Sequence, residues 1–327
     1  MAETKTIAPD APFDERLDHA ERIIQSELGD QNFLAIVPGT GWKQGLEGIF
    51  KKEQEIPYSQ MAVPGADHNV EGHSKSMDIG SINGRDAIML GRVHANEDPR
   101  AHDLQRAMLL LINAVRNNVD GVIITNAAGT LHGRINEERG LVRSLIDTSI
   151  ADLMGSALRG RSKEPLSVGD IAVLDQISTL SLGANTPLGA GDFVDYSSAN
   201  ANHGLHGYDD FPFEMARRSV GSAQKGRAPR ANYYYIPGPQ FEGPWDKRIM
   251  RALGGDAVGM SSIQGVLAST QAQLPMAGLT FITNPAFGTH SHQENLAVAE
   301  KNAPKMGRVM EDLADRWPTI EQIQRAS

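Results

Sequence analysis

The stretch VDGVIITNAAGT, residues 119–130, contains the clearest indication of the fold. Its apolar residues run continuously instead of alternating with polar ones, which is typical of a strand that is covered on both faces. The small residues from Asn126 to Gly129 would let a ligand approach the backbone closely, but a tight strand-to-helix turn needs the same residues. The stretch therefore predicts a buried strand that ends at a binding site or at a packing turn.

Similar short apolar runs occur on both sides of this strand, each closed by glycine, asparagine or proline. Helical patterns lie between several of them, such as DLQRAMLLLINAVRNN before residue 119 and WDKRIMRALGG before DAVGM. This alternation predicts an α/β fold with a mainly parallel or mixed sheet covered by helices, in which ligands bind beyond the carboxyl ends of strands. The other runs are FLAIVPGTG, DAIMLGRVH, GDIAVLDQIS, NYYYIPGP, DAVGMSS and GLTFITN.

Composition and charge restrict the class of partner. The chain has 327 residues, 40% of them hydrophobic, and a formal net charge of −9. That charge argues against a nucleic-acid partner or an anionic membrane surface, while a small phosphate-bearing ligand stays compatible with it. The chain lacks cysteine, a signal-peptide pattern and any uncharged apolar run of about 20 residues. We therefore expect a cytoplasmic enzyme without disulfide bonds.

The domain organisation is expected to be simple, because no linker divides the chain. Residues 1–14 are polar and proline-containing, which predicts a mobile tail, and residues 15–327 are expected to form one domain. Within it, residues 134–165 form a charged, partly amphipathic stretch between two predicted strands. We interpret this stretch as an inserted segment of one or two surface helices.

The segment IVPGTGW places Gly39, Thr40 and Gly41 directly after a predicted strand. Backbone N–H groups and a hydroxyl group in that position are suited to hold an anion, although an ordinary turn has the same residues. A dinucleotide-binding motif would need its third glycine one place before Gly45 and an acidic residue near position 60. The sequence therefore argues against a nicotinamide-dependent dehydrogenase.

The segment LGRVHANED ends another predicted strand with Arg92 and His94. Two residues apart, they lie on the same side of an extended chain, where a guanidinium fork and a ring N–H suit a phosphate group. An ion pair of Arg92 with Glu97 or Asp98 is the alternative.

The segment GTHSHQEN contains His290 and His292. Two histidines at this spacing suit a metal if both lie on one face of a strand, but the further ligands of a recognised metal motif are missing. A surface loop, or a histidine that hydrogen-bonds a substrate hydroxyl, fits better, and no metal site is expected.

Ten segments, taken in order, resemble the trimeric class of purine nucleoside phosphorylases, which includes methylthioadenosine phosphorylase. The similarity runs from about Phe33 to Ala299. It rests on PGTGW, GHSKSMDIGSINGR, LGRVH, VDGVIITNAAGTL, VGDIAVLDQIS, FVDYSSA, PGPQFEG, GGDAVGMSS, FITN and SHQE. The resemblance implies a single domain in which helices flank a mixed sheet with a small distorted barrel. It also implies a homotrimer that cleaves purine nucleosides reversibly with inorganic phosphate as co-substrate and without a cofactor.

The resemblance implies roles for particular residues. In the phosphate site Thr40 stands where the family usually has serine, and this change keeps the hydroxyl group. The phosphate-binding residues would be Thr40, Arg92, His94, Ala127 through its backbone N–H, Ser261 and His73. The ribose-binding residues would be Met260 under the sugar, His292 at the 5′-hydroxyl, with His290 as its substitute, and Phe193 from the neighbouring subunit. The purine-binding residues would be Phe241, Val258, Glu242 and Asn284.

Asn284, Glu242 and His94 are the catalytic candidates that the resemblance implies. Asn284 would donate to N7 of the departing purine, and Glu242 would accept the N1 proton of a 6-oxopurine. Adenine-directed relatives have aspartate in place of Asn284, so we expect inosine and guanosine to be preferred over adenosine and methylthioadenosine. Capping of a helix near Pro244, or an ion pair with Lys247, is the alternative for Glu242.

Several features depart from the family pattern. Asn96 replaces an aromatic residue near the ribose, the loop at residues 64–72 is longer than usual, and the chain between Asn284 and His292 is about six residues shorter. Three alternatives therefore stay open: a phosphorylase of different specificity such as methylthioadenosine phosphorylase, a nucleoside hydrolase, and a nucleoside-binding protein without turnover.

Overall fold

The computed structural model describes residues 7–8, 11–66, 75–93, 105–133, 150, 153–154, 165–182, 186–188, 211–287 and 291–322. These residues form nine strands and seven α-helices. The strands are β1 Phe33–Val37, β2 Phe50–Pro57, β3 Ser76–Ile82, β4 Arg85–Leu90, β5 Val119–Thr130, β6 Ile171–Ser178, β7 Arg230–Tyr235, β8 Ala257–Gly259 and β9 Met276–Pro285. The helices are α1 Phe13–Leu28, α2 Trp42–Glu47, α3 Ala107–Val115, α4 Phe211–Ala223, α5 Pro244–Ala252, α6 Ile263–Gln271 and α7 His292–Arg316.

The strands form one mixed sheet in the order β2-β3-β4-β1-β5-β8-β7-β6-β9. Strand β9 also pairs with β5 in parallel, so β5, β8, β7, β6 and β9 close on themselves as a five-stranded barrel. The predicted α/β fold with a small barrel in a mixed sheet is therefore confirmed.

Strand β5 lies where the open sheet meets the barrel, since it pairs with β1 and β9 in parallel and with β8 in antiparallel orientation. Its apolar run explains this place, because a strand with neighbours on both sides and layers on both faces has no contact with water. Every residue of β5 is buried except Ala127, which is partly exposed. The sheet therefore opens to solvent at Ala127, near the carboxyl end of its central strand.

Helices cover the sheet on both sides. Helix α3 is apolar except for Asn113 and all its residues are buried, whereas α2 packs on the long helix α7. The α2–α7 contact is close because Gly45 meets Gly307: a Cβ atom on Gly45 would lie 3.0 Å from the Gly307 nitrogen. No helix in the described ranges is long and apolar enough to cross a membrane.

Strands β2 and β3 were not among the strands that the sequence predicts. The sequence FKKEQEIP of β2 has five consecutive exposed residues, because this strand lies at the edge of the sheet and pairs only with β3. Charged residues on an edge strand are common since they discourage pairing with other chains, but they remove the apolar pattern that identifies a strand.

The amino-terminal boundary also differs from the prediction. Helix α1 begins at Phe13, so Phe13 and Asp14, the last two residues of the predicted tail, belong to a helix. Asp14 and Glu15 lie in its first turn, where carboxylates interact favourably with the helix dipole. Most of residues 1–12 and of the predicted insertion at 134–165 lie outside the described residues, and the domain division stays a prediction.

Candidate functional site

Two consecutive residues of β5, Thr125 and Asn126, anchor three loops that carry predicted phosphate-binding residues. The first is the Pro38–Gly41 loop after β1, which contains Thr40. The Gly39 nitrogen donates to Thr125 Oγ1 at 2.9 Å, and the Trp42 indole donates to the Asn126 carbonyl oxygen at 2.8 Å. A Cβ atom on Gly39 would lie 2.4 Å from the Thr125 carbonyl oxygen. Only glycine allows this approach, and the partly exposed Thr40 thereby lies beside the carboxyl end of β5.

Arg92 follows β4 and reaches the same point from the other side of β1. Its Nη2 donates to the Thr125 carbonyl oxygen at 2.7 Å, and the residue is only 7% exposed. Burial lowers the pKa of the Arg92 guanidinium to about 10, so it stays charged at neutral pH. Within the described part of the chain no carboxylate forms an ion pair with Arg92, and Glu97 and Asp98 lie outside that part. The result is a buried positive charge beside the Thr40 loop.

The third loop follows β8 and contains Ser261. Asn126 Nδ2 donates to Ser262 Oγ at 2.8 Å. Ser262 has a φ of 78°, a left-handed conformation that is strained for a serine and that needs such support. The hydrogen bond therefore fixes the turn between Ser261 and helix α6. Ser261 is partly exposed while Ser262 is buried, so the turn presents Ser261 outward.

Tyr233 of β7 completes this cluster, and the sequence analysis did not identify it. Its hydroxyl oxygen lies 3.4 Å from the Ser261 nitrogen and 2.6 Å from where a Cβ atom on Gly259 would stand. Burial raises the pKa of the hydroxyl, while hydrogen bonds to Ser261 and the charge of Arg92 oppose that rise. Tyr233 was interpreted only as part of an apolar strand, because a sequence does not distinguish a core tyrosine from one whose hydroxyl supports a site.

Ala127 lies among these loops. It follows Asn126 directly and is the partly exposed residue of β5. A Cβ atom on Gly259 would lie 3.2 Å from the Ala127 carbonyl oxygen, so the Ser261 loop passes close to it. Four predicted phosphate-binding residues, Thr40, Arg92, Ala127 and Ser261, are thus held around the carboxyl end of β5.

Two of the predicted purine-binding residues are brought together by Gly129. Val258 of β8 and Asn284 of β9 each pair with Gly129 in the sheet, from opposite sides. A Cβ atom on Gly129 would lie 2.9 Å from Asn284 Nδ2, so the missing side chain makes room for the amide. Val258 and Asn284 are 3% and 7% exposed, so water has little access to this amide.

Phe241 and Glu242 lie in the loop between β7 and α5, where the Gly238–Pro239 peptide bond is cis. Phe241 is 50% exposed and Glu242 partly exposed, so both belong to an open side of the molecule. Helix α5 is capped by Asp246, whose Oδ2 accepts from the Gly243 nitrogen at 3.0 Å. Asp246 therefore fills the capping role that the sequence left open for Glu242.

The ion pair of Glu242 with Lys247 stays the open alternative for this carboxylate. Lys247 is itself buried, with 9% exposure.

Met260 lies between the two groups of residues. A Cβ atom on Gly238 would lie 2.6 Å from Met260 Sδ, so the Pro-Gly-Pro turn packs directly on the thioether. Met260 is partly exposed and precedes Ser261 directly. The thioether thus lies against the loop that contains Phe241, next to the loop that contains Ser261.

The remaining predicted site residues are not located. His73, His94, Asn96, Phe193 and His290 lie outside the described residues. His292 is the first residue of helix α7, which is capped by Ser291, and its side chain is not described. No group of three His, Asp or Glu residues in the described ranges is placed to hold a metal ion.

Comparisons with known proteins show which family the chain resembles. The family sequence model of the phosphorylase superfamily matches residues 33–315 of this chain. Purine nucleoside phosphorylase from Mycobacterium tuberculosis is 27% identical over 311 residues, which cover 93% of this chain and 97% of the relative.

Solved structures resemble the chain over nearly its whole length. Isoform 2 of purine nucleoside phosphorylase from Schistosoma mansoni, in complex with cytosine and ribose-1-phosphate, has a TM-score of 0.69 at 21% identity and covers 95% of this chain and 99% of its own. A schistosoma purine nucleoside phosphorylase in complex with hypoxanthine has a TM-score of 0.67 at 22% identity, covering 93% and 98%. The match of the family model to most of the sequence, with the shared fold, shows that the chain is an enzyme of the phosphorylase superfamily.

Proposed function

We propose that this enzyme catalyses the reversible phosphorolysis of 6-oxopurine nucleosides and deoxynucleosides, such as inosine and guanosine. The products are the purine base and ribose 1-phosphate or its deoxy form. One observation carries the proposal: the buried charge of Arg92, without a carboxylate partner in the described residues, lies where the loops of Thr40, Ala127 and Ser261 meet.

The free energy of this arrangement favours a bound anion. Lowering the pKa of an arginine from 12.5 to about 10 corresponds to roughly 3 kcal/mol against its charged form. A buried charge without an opposite charge is unfavourable, and a bound anion removes that penalty. A phosphate group suits the site because a guanidinium fork, hydroxyl groups and a backbone N–H converge there.

Phosphorolysis requires stabilisation of opposite charges on the two sides of the breaking bond. As the glycosidic bond lengthens, positive charge develops on the ribose and negative charge on the purine. The phosphate anion held beside Arg92 stabilises the first, and a hydrogen-bond donor at N7 stabilises the second. In this proposal Asn284 Nδ2 supplies that donor.

Base selection is assigned to the residues on the opposite side of Met260. Glu242 accepts the N1 proton of a 6-oxopurine, Asn284 donates to N7 and O6, and Phe241 and Val258 contact the ring. The position of Asn284 and Val258 beside Gly129 supports this assignment.

The ribose site and the assembly rest on the resemblance. Met260 packs under the sugar, His292 or His290 reaches its 5′-hydroxyl, and Phe193 enters the site of a neighbouring subunit in a homotrimer. His73 and His94 join the phosphate site, with His94 among the catalytic groups. No cofactor, a cytoplasmic location and a role in purine salvage belong to the same proposal and stay predictions.

Two other functions make different use of the same residues. A nucleoside hydrolase would attack with water and has no use for an anion site, so the buried Arg92 argues against it. A methylthioadenosine phosphorylase would share the phosphate site but would need an acceptor for the 6-amino group where Asn284 stands.

The experiment that tests the proposed function is a panel of nucleosides assayed with and without phosphate. We expect kcat/KM for inosine and guanosine to exceed that for adenosine and methylthioadenosine, with turnover only in the presence of phosphate. A higher kcat/KM for methylthioadenosine would contradict the substrate class, and cleavage without phosphate would indicate a hydrolase. Inosine binding without hypoxanthine formation would indicate a binding protein.

A further inference from the structure

Thr283 and Asn284 are consecutive in β9, and in a regular strand their side chains would point to opposite faces. The pairing of β9 with β5 is irregular at this point, because Ala128 pairs with Ile282 whereas the next residue, Gly129, pairs with Asn284. Thr283 is therefore an extra residue in a β-bulge. Bulges turn side chains toward new directions and are frequent beside active sites.

The bulge brings the Thr283 hydroxyl next to the Asn284 amide. Thr283 Oγ1 donates to Asn284 Oδ1 at 2.8 Å, which is an ordinary length for an O–H···O bond. The other acceptor near this hydroxyl, the Ala128 carbonyl oxygen, lies 3.4 Å away. Since a hydroxyl has one proton, the shorter contact determines where that proton lies.

This contact decides which end of the amide faces Thr283. If the amide were turned round, Nδ2 would donate to Thr283 Oγ1. Among the described residues the Thr283 proton would then have only the Ala128 carbonyl oxygen, 3.4 Å away, to bind. The observed orientation is therefore favoured, with Oδ1 toward Thr283 and Nδ2 over Gly129, where Nδ2 also donates to the Pro285 carbonyl oxygen at 3.4 Å. Thr283 and Asn284 are 4% and 7% exposed, so water competes little for either group.

We propose that Thr283 is a specificity-determining positioning residue that fixes the Asn284 amide with its NH₂ group toward the purine. This inference rests on the proposed function and extends it. With Oδ1 bound to Thr283, position 6 of the base meets a donor, which suits a 6-oxo group. An amide that can turn would place its oxygen there and accept from a 6-amino group, since asparagine can bind either edge pattern of a purine.

The test compares the ratio of kcat/KM for inosine to that for adenosine in three variants. Thr283→Val removes the hydroxyl at nearly constant shape, and we expect the ratio to fall about 3- to 10-fold, the effect of one neutral hydrogen bond. Thr283→Ser keeps the hydroxyl and should keep the ratio within about twofold. Thr280→Val is the matched control, because Thr280 lies in the same strand, is fully buried, and its hydroxyl has no hydrogen-bond partner in the described structure.

If Thr283→Val lowers kcat/KM equally for inosine and adenosine, so that their ratio is unchanged, the inference is overturned. A residue with a merely structural role would give that result. The inference is also overturned if the inosine-to-adenosine ratio of kcat/KM falls as much in Thr283→Ser as in Thr283→Val. If Thr283→Val does not fold, Thr283→Ala removes the same hydroxyl.

Calorimetric Kd values for hypoxanthine and adenine form a second arm that does not depend on turnover. If the wild type cleaves neither nucleoside, the proposed function fails while the base-binding ratio still tests Thr283. We expect Thr283→Val to weaken hypoxanthine binding relative to adenine about 3- to 10-fold, and an unchanged ratio would overturn the inference.

Discussion

At the scale of single residues, the candidate site depends on buried groups that hold the predicted ligand-binding residues in place by hydrogen bonds. Arg92 is held by the Thr125 carbonyl oxygen, and the turn after Ser261 is held by Asn126. Asn126 Oδ1 is itself buried and without a hydrogen-bond partner in the described residues, which is costly for an amide. An unpaired buried polar atom of this kind is typical of a binding site whose geometry is fixed before the ligand binds.

Tyr233 is the residue for which this support is easiest to test. Tyr233→Phe removes the hydroxyl next to the Ser261 nitrogen and near Arg92. We expect the KM for phosphate to rise about 3- to 10-fold, while the KM for inosine changes less than about twofold, because one hydrogen bond on the phosphate side is lost. Initial rates at varied phosphate measure this effect.

Tyr234→Phe is the matched control for that measurement. Tyr234 is the next residue of the same strand, is only partly buried and has no hydroxyl hydrogen bond in the described structure. If the KM for phosphate changes equally in Tyr233→Phe and Tyr234→Phe, the role given to Tyr233 is contradicted. A selective rise in the KM for inosine in Tyr233→Phe would contradict it as well.

At the scale of elements, the sequence predicted β5 and its neighbours well because their apolar residues are continuous. It did not predict β2, whose exposed residues hide the pattern, and it could not predict that β9 closes the barrel on β5. That pairing joins residues about 150 positions apart in the chain, and periodicity contains no information on such contacts. The bulge at Thr283 depends on the same pairing, so its effect on Asn284 was equally hidden.

Some residues of the candidate site were predicted from sequence motifs, and others were found only in the folded structure. Thr40, Arg92, Ala127 and Ser261 were identified from motifs at the ends of strands, and the structure holds them around one point. Tyr233 and Thr283 were not assigned to the site, because their hydroxyl groups act through contacts that only the folded chain creates. Their functional roles, like those of the motif residues, stay predictions.

The loop after β1 provides the test at this scale. In Gly39→Ala the new methyl group would lie 2.4 Å from the Thr125 carbonyl oxygen and 2.6 Å from the Asn126 Cα, so the loop that contains Thr40 must move. We expect a loss of stability of about 1–3 kcal/mol and at least a tenfold rise in the KM for phosphate. Chemical denaturation and phosphate titrations measure the two effects.

Gly48→Ala is the control, because Gly48 has an ordinary helical φ of −87° and no atom within 4 Å of a new Cβ. Its stability should stay within about 0.5 kcal/mol of the wild type. A Gly39→Ala protein with unchanged phosphate KM would contradict the close fit between this loop and β5.

At the scale of the whole molecule, phosphate binding is coupled to the stability of the fold through Arg92. A ligand that binds only the folded state stabilises it by about 2.7 kcal/mol at one hundred times its Kd. We expect phosphate to raise the Tm of the wild type, because it offsets the buried charge. Arg92→Met replaces the arginine by a side chain without charge. In this variant the increase in Tm caused by phosphate should be less than half of that in the wild type.

The Tm of Arg92→Met without phosphate should lie near that of the wild type, since replacing an uncompensated buried charge by an apolar group is often neutral or stabilising. Arg316→Met is the control, because Arg316 pairs with Asp312 on the surface at the end of α7. An equal phosphate-dependent rise in wild type and Arg92→Met, measured by calorimetry, would remove Arg92 from the phosphate site.

The central claim is that phosphate, rather than water, receives the ribose. Phosphorus NMR of a mixture of enzyme, inosine and phosphate tests it most directly, with hypoxanthine followed by absorbance in the same sample. We predict that the ribose 1-phosphate signal grows at the same rate as hypoxanthine and that both are absent when phosphate is left out. Hypoxanthine that forms together with unphosphorylated ribose, at a rate independent of phosphate, would contradict the claim.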